Sequence, residues 1–263
     1  MSTFFSQTAV QCSLAVAGLV ALTGCSDGGG GTSPATSLLV EQSGAARTAV
    51  VQAISDLDQR PVETRTSGSV GGSTVESEAA ADPSTLSMRS DEVSNDLIRT
   101  QFVLADEVLY ARIYPVDQDE QPFTVLAPGA RTLEFYDVAL TGGGRVFGSV
   151  DALAAVFDRA PATVFTLGVR AGDSGDQAGY RFVFDAFDIG RLLGDEGFES
   201  SVFVPEQGTE TTILEVWVDR GLRQLTTSGA VYQDGELIDD VELTIEYAPV
   251  DDSGIVIPVH TRP

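Results

Sequence analysis

Residues 211–231 read TTILEVWVDRGLRQLTTSGAV, and the fold follows from this stretch outward. β-Branched, aromatic and aliphatic side chains dominate 211–218 and recur through 222–231, as in paired strands. Asp219-Arg220-Gly221 between them supplies turn residues, so the two runs predict a hairpin. Downstream, 239–247 (DDVELTIEY) and 255–259 (IVIPV) predict a last strand pair.

Upstream, 162–170 (ATVFTLGVR) and 179–187 (GYRFVFDAF) predict two strands around the polar loop Gly172–Gln177. Residues 97–105 and 108–114 predict another pair, joined by Asp106-Glu107. In the second of these, Val108, Tyr110, Arg112 and Tyr114 face one side, and Leu109, Ala111 and Ile113 the other. Residues 123–127 and 131–140 flank the turn signal Pro128-Gly129. Residues 64–70 alternate weakly before Gly71-Gly72, and 75–84 (VESEAAADPS) read as a loop.

Three segments carry the helical period instead. Residues 37–60 repeat apolar side chains every three or four positions, with Thr36 or Ser37 as the cap and Pro61 beyond the end. Residues 149–159 predict a short helix capped by Ser149, and 188–195 another. No repeat of 20 to 50 residues is present. The expected fold class is α+β: a strongly curved antiparallel sheet covered by the N-terminal helix and the short central ones.

Charge excludes some functions. The chain has 263 residues and a formal net charge of −24, and all 15 of its basic residues are arginine. Binding to nucleic acid needs a basic surface and is excluded as an expectation. Adhesion to anionic lipid headgroups by charge alone is disfavoured.

The N-terminus is of another kind. Residues 9–24 read AVQCSLAVAGLVALTG, with an apolar centre from Leu14 to Leu22. That is too short for a membrane span, which takes roughly 20 apolar residues, and fits the apolar region of a secretory signal. The run ends in Leu22-Thr23-Gly24-Cys25 and passes into SDGGGGTSPAT. A Leu, two small residues and a Cys in this order resemble the bacterial lipobox. That resemblance implies a diacylglycerol on the Cys25 thiol and cleavage between Gly24 and Cys25. The Gly-rich segment after it cannot form a regular element and reads as a flexible tether. The organisation expected is a signal peptide over 1–24, the lipidated Cys25 and tether over 25–36, and one domain over 37–263. MSTFFSQTAVQC lacks the basic residues that usually open a signal.

Catalytic patterns are missing. There is no G-x-S-x-G, and without lysine neither S-x-x-K nor a lysine-bearing phosphate loop can occur. The single histidine, His260, reads as a tail residue. Cys12 and Cys25 are the only cysteines, so thiolate metal sites in the body are excluded. Asp117-x-Asp119 begins like a calcium loop, but Pro122 and Pro128 stand where Gly and Glu are needed. No enzyme, cofactor or metal is expected.

LEVWVDRGLRQLTTSG (214–229), VELTIEYAPVDDSGIVIPV (241–259), EVLYARIY (107–114) and GYRFVFDAFDIGRLLG (179–194), behind a lipobox and a first helix, resemble actinobacterial lipoproteins of the LppX/LprG type. These are similar in turn to the LolA/LolB lipoprotein carriers. The stretch 62–96 departs most from that pattern. The resemblance implies an unclosed barrel with helices across its open side, and an apolar cavity between sheet and helices. It implies a lipid or lipoglycan ligand, held at the outer face of the cell membrane. Phe182, Phe184, Val216 and Val218 are the candidate lining residues, and a monomer is expected. The alternative is a surface-anchored acidic interaction module with a solid core and no ligand.

Overall fold

The computed structural model describes residues 34–250, except 71, 106–107, 129–138, 142–145, 174, 196–210 and 234–235. The predicted strand 255–259, the predicted run over 131–138, and the N-terminal segment with Gly24 and Cys25 lie outside the described residues.

Eleven strands form one antiparallel sheet: β1 Val62–Val70, β2 Ser73–Asp82, β3 Ser87–Ser94, β4 Ile98–Ala105, β5 Val108–Pro115, β6 Thr124–Pro128, β7 Ala162–Gly172, β8 Gly175–Asp185, β9 Thr211–Val218, β10 Leu222–Gln233 and β11 Glu236–Pro249. Their order is β6-β5-β4-β3-β2-β1-β11-β10-β9-β8-β7, so β6 and β7 are the outermost of the described strands. Each pairing adds about 20–25° of twist, and ten in succession coil the sheet strongly. Among the described residues the helices of ten residues or more are α1 Pro34–Ser55, α2 Val150–Arg159 and α3 Ala186–Asp195. The fold class expected from the sequence is the one found.

The hairpin of 211–231 forms as expected, with Leu225 opposite Val216 and Thr227 opposite Leu214. Ser149 caps α2 by accepting the Ala152 N–H at 3.0 Å. The stretch 75–84 is a correction: it is β2, and 87–94, which had no assignment, is β3. In β2 the inward positions are Val75, Ser77, Ala79 and Ala81, between outward Glu76, Glu78 and Ala80. Alanine and serine show too little apolar contrast for the period of two to stand out. Pairing with β1 and β3 on both sides makes the strand. Ala139 and Leu140, at the end of the run that follows Pro128-Gly129, are helical.

One face of the sheet carries the core. Val62, Met88, Leu104, Leu109, Leu225, Leu243 and Ile245 point to it and are buried with Val50, Ile54 and Leu57 of the N-terminal helical segment. Two polar side chains are satisfied there: Thr64 Oγ1 donates to the Ala139 carbonyl at 3.1 Å and Tyr247 Oη to the Leu140 carbonyl at 3.1 Å. Burial raises the Tyr247 pKa, so the phenol stays protonated and keeps donating.

Arg47 fastens α1 to α2. Its Nη1 donates to the Phe157 carbonyl at 2.5 Å and its Nη2 to the Ala160 carbonyl at 2.9 Å. These carbonyls end α2 and have no partner within the helix, and a cation suits the negative end of its dipole. Burial lowers the Arg47 pKa, and the Asp158 carboxylate opposes that shift. Charge-assisted hydrogen bonds contribute about 1.5–3 kcal/mol. Arg47→Met is expected to lower the unfolding free energy by about that amount, read from the urea midpoint at unchanged slope. An unchanged midpoint would mean that the two helices dock without this bridge.

Candidate functional site

Alternation along the strands sorts side chains to two faces. Phe182 pairs with Leu214, Phe184 with Thr212, Val216 with Tyr180 and Val218 with Ala178, so all four sequence-named candidates lie on the helix-covered face. They are 0%, 1%, 0% and 5% exposed. Phe157 of α2 meets Phe182 edge-on at 4.9 Å and Phe184 at 6.0 Å, and the last two stack at 5.9 Å. The rings of Phe157, Phe182 and Phe184 are packed on one another.

Open space lies elsewhere. A cavity of about 1200 Å³ has its floor on the face that the helices leave bare. One row of the sheet builds much of that floor. Trp217 pairs with Gln224, Gln224 with Glu246, and Glu246 with Arg65. Arg65 pairs with Glu78, Glu78 with Asp91, Asp91 with Gln101, and Gln101 with Arg112. The row runs from β9 to β5 through eight strands. An adjacent row adds Ala248, Glu63, Arg89 and Val103. Pro122 and Phe123 beyond β5 line one end, and Arg170, Asp173 and Gln177 of the β7–β8 hairpin line the other.

Opposite charges are mixed on this floor. Arg65 meets Glu78 at 2.9 Å, Arg89 meets Glu63 at 3.6 Å, and Arg99 holds Asp91 at 2.8 Å. Arg223 meets Asp219 at 2.8 Å, with both side chains largely shielded. The exposed pairs Arg65–Glu78 and Arg89–Glu63 contribute about 0–1 kcal/mol each. Their effect here is to let cations and anions share a small volume with little net field.

Each end carries a stacked guanidinium. The Arg112 guanidinium lies 4.5 Å from the Phe123 ring centroid and 5.6 Å from that of Tyr114, and its Nη1 meets Glu120 at 2.8 Å. Arg112 Nε also donates to Gln101. At the far end Arg170 lies 4.1 Å from the Trp217 ring centroid, and its Nε donates to Gln177 Oε1 at 2.8 Å. Gly179 makes room for that platform: a Cβ there would come within 2.7 Å of the Trp217 ring. Val103, Pro122, Phe123 and Ala248 supply apolar lining. The cavity thus offers apolar contact and charged groups to one ligand, the usual make-up of a small-molecule site.

Sequence reasoning missed this site. Its residues are the polar, outward positions of strands, and their juxtaposition depends on register across eight strands. The available signal was the outward set Tyr110, Arg112 and Tyr114, correctly placed on one face of β5. Among the described residues no group of three or more His, Cys, Asp or Glu side chains is placed to hold a metal ion. Nor is any described helix long and apolar enough to cross a membrane.

No family model matches this chain, and no curated protein matches it. Among solved structures it is similar to LprF from Mycobacterium bovis, at 12% identity and a TM-score of 0.43, over 82% of this chain and 96% of that one. It is similar to the lipoprotein LppX from Mycobacterium tuberculosis at 15% identity and a TM-score of 0.37, over 84% and 99% of the two chains. An uncharacterized conserved protein from Thermus thermophilus is similar at 10% identity and a TM-score of 0.37, over 83% and 97%. Structures of the kind that the sequence resembles, LprF and LppX, are thus among those to which this chain is similar, along nearly their whole length.

Proposed function

We propose that this chain is a non-enzymatic, lipid-anchored protein of the cell envelope that binds an amphiphile of the lipid class in the open cavity. The observation that carries the reading is the cavity itself: about 1200 Å³, bordered by aromatic and aliphatic side chains together with charged ones. A ligand with an apolar chain and a polar head can satisfy both kinds of lining at once. The lipobox ending in Gly24-Cys25 and the Gly-rich segment behind it support anchoring. The absence of lysine and of any recognised nucleophile–base motif in the sequence supports binding without turnover.

The test is native mass spectrometry of the full chain purified from its own host. A co-purifying mass released by organic solvent, together with a diacylglyceryl mass on Cys25, is the expected result. Cys25→Ser should move the protein out of the membrane fraction. A chain that carries no ligand from its host and binds none of a panel of host lipids would sink the ligand reading. The packed cluster around Phe182 favours the second reading, a solid-cored interaction module on the same anchor.

A further inference from the structure

Five of the 15 arginines line the cavity. Four of them form ion pairs: Arg65 with Glu78, Arg89 with Glu63, Arg112 with Glu120 and Arg223 with Asp219. Arg170 differs. Among the described residues it has no ion pair, and its contacts are the neutral Gln177 and the Trp217 ring. Asp173 and Glu246 also line the cavity, yet neither forms an ion pair with it.

The arrangement is specific. Gln177 is 8% exposed and holds Nε, while the indole holds the guanidinium plane. The two terminal nitrogens then remain as a fork. A planar fork of this kind matches a carboxylate or a phosphate through two parallel hydrogen bonds. Stacking and the Nε bond order the side chain beforehand, so less freedom is lost when an anion binds. In a chain of net charge −24, a guanidinium on a cavity wall with no carboxylate partner among the described residues is a place where an anion can gain a strong contact.

We propose that Arg170 on its Trp217 platform is the subsite for the anionic head, carboxylate or phosphate, of the amphiphile in the cavity. This rests on the ligand-binding reading above. The apolar end of the ligand extends toward Val103 and Phe123.

Trp217 is the only tryptophan, so its fluorescence reports on this subsite directly. The full-length chain is titrated, below their aggregation thresholds, with oleate, mono-oleoyl glycerol, oleylamine and inorganic phosphate. Oleate is expected to change the Trp217 emission and to bind at least about tenfold more tightly than mono-oleoyl glycerol. Arg170→Gln should bring oleate down to the affinity of the neutral amphiphile, and Arg170→Lys should fall between. Arg170 is exposed, so neither change should disturb folding.

Equal binding of oleate and mono-oleoyl glycerol overturns the subsite and leaves the ligand reading standing. So does a preference for oleylamine, or for oleate that survives Arg170→Gln. Inorganic phosphate binding as tightly as oleate would assign the subsite to a free anion and overturn the amphiphile. If no amphiphile binds at all, the ligand reading falls and the subsite falls with it.

Discussion

Phe182→Ala is expected to remove about 3–5 kcal/mol of stability, the usual cost of deleting a fully buried aromatic ring. Phe182 is 0% exposed and touches rings from two elements, Phe157 of α2 and Phe184 of its own strand. Truncation removes the edge-on contact at 4.9 Å and the stack at 5.9 Å together, and leaves a void that surrounding rings cannot fill. For a body of this size the melting temperature should fall by roughly 10 °C. The experiment also decides between two roles. If Phe182 lined a ligand cavity, alanine would change ligand affinity and leave the unliganded protein nearly as stable. Packing demands the reverse: a large loss without ligand, and unchanged discrimination between amphiphiles in whatever fraction folds. A shift under about 1 °C would return Phe182 to the set of lining residues.

Gly68→Ala should cost about as much through a different cause. Gly68 sits in β1 with φ +146°, between Val75 of β2 and Leu243 of β11. A Cβ there would stand 2.0 Å from the Glu242 carbonyl oxygen, backbone that cannot swing aside. Backbone strain of about 1–3 kcal/mol and a further 1–3 kcal/mol for overpacking give roughly 2–6 kcal/mol. Gly168→Ala is the control. Gly168 also has a positive φ, +108°, but nothing lies within 4 Å of its would-be Cβ. It should lose only the strain. Equal unfolding midpoints for the two variants would show that the steric contact at the β1–β11 seam contributes nothing.

The parts legible in the sequence were those with strong local contrast. The 211–231 hairpin announced itself through Ile213, Val216 and Val218 on one side of Asp219-Arg220-Gly221 and Leu222 and Leu225 on the other. The capped α2 did so through Ser149 and the spacing of Val150, Leu153 and Phe157. β2 and β3 did not, because Ser77, Ala79 and Ala81 face the core with side chains too small or too polar to mark a face. The candidate site was hidden for another reason. Arg170 and Trp217 are 47 positions apart and meet only once β7, β8 and β9 are in register. Pairing of outward polar residues leaves no periodic trace. The apolar residues named instead were strongly patterned for the same reason that they proved to be packed: they face the core.

The strand order also has a consequence in time. Strands β1 to β6 pair with sequence neighbours, and so do β7 to β10. Among the described strands the two groups meet only through β11, which lies between β1 and β10 and is the last of them. Synthesis proceeds from the N-terminus, so both groups can form while each still ends in an unpaired edge. Residues 236–249 then fill a slot between partners formed long before them, and cover Gly68 and Leu225 in one step. Closing that seam spans most of the chain and should be the slow event in folding. Until it happens the molecule is two half-sheets, and the rows that join Arg112 to Trp217 do not yet exist. Whatever the finished cavity holds, it can hold only after residues 236–249 have arrived.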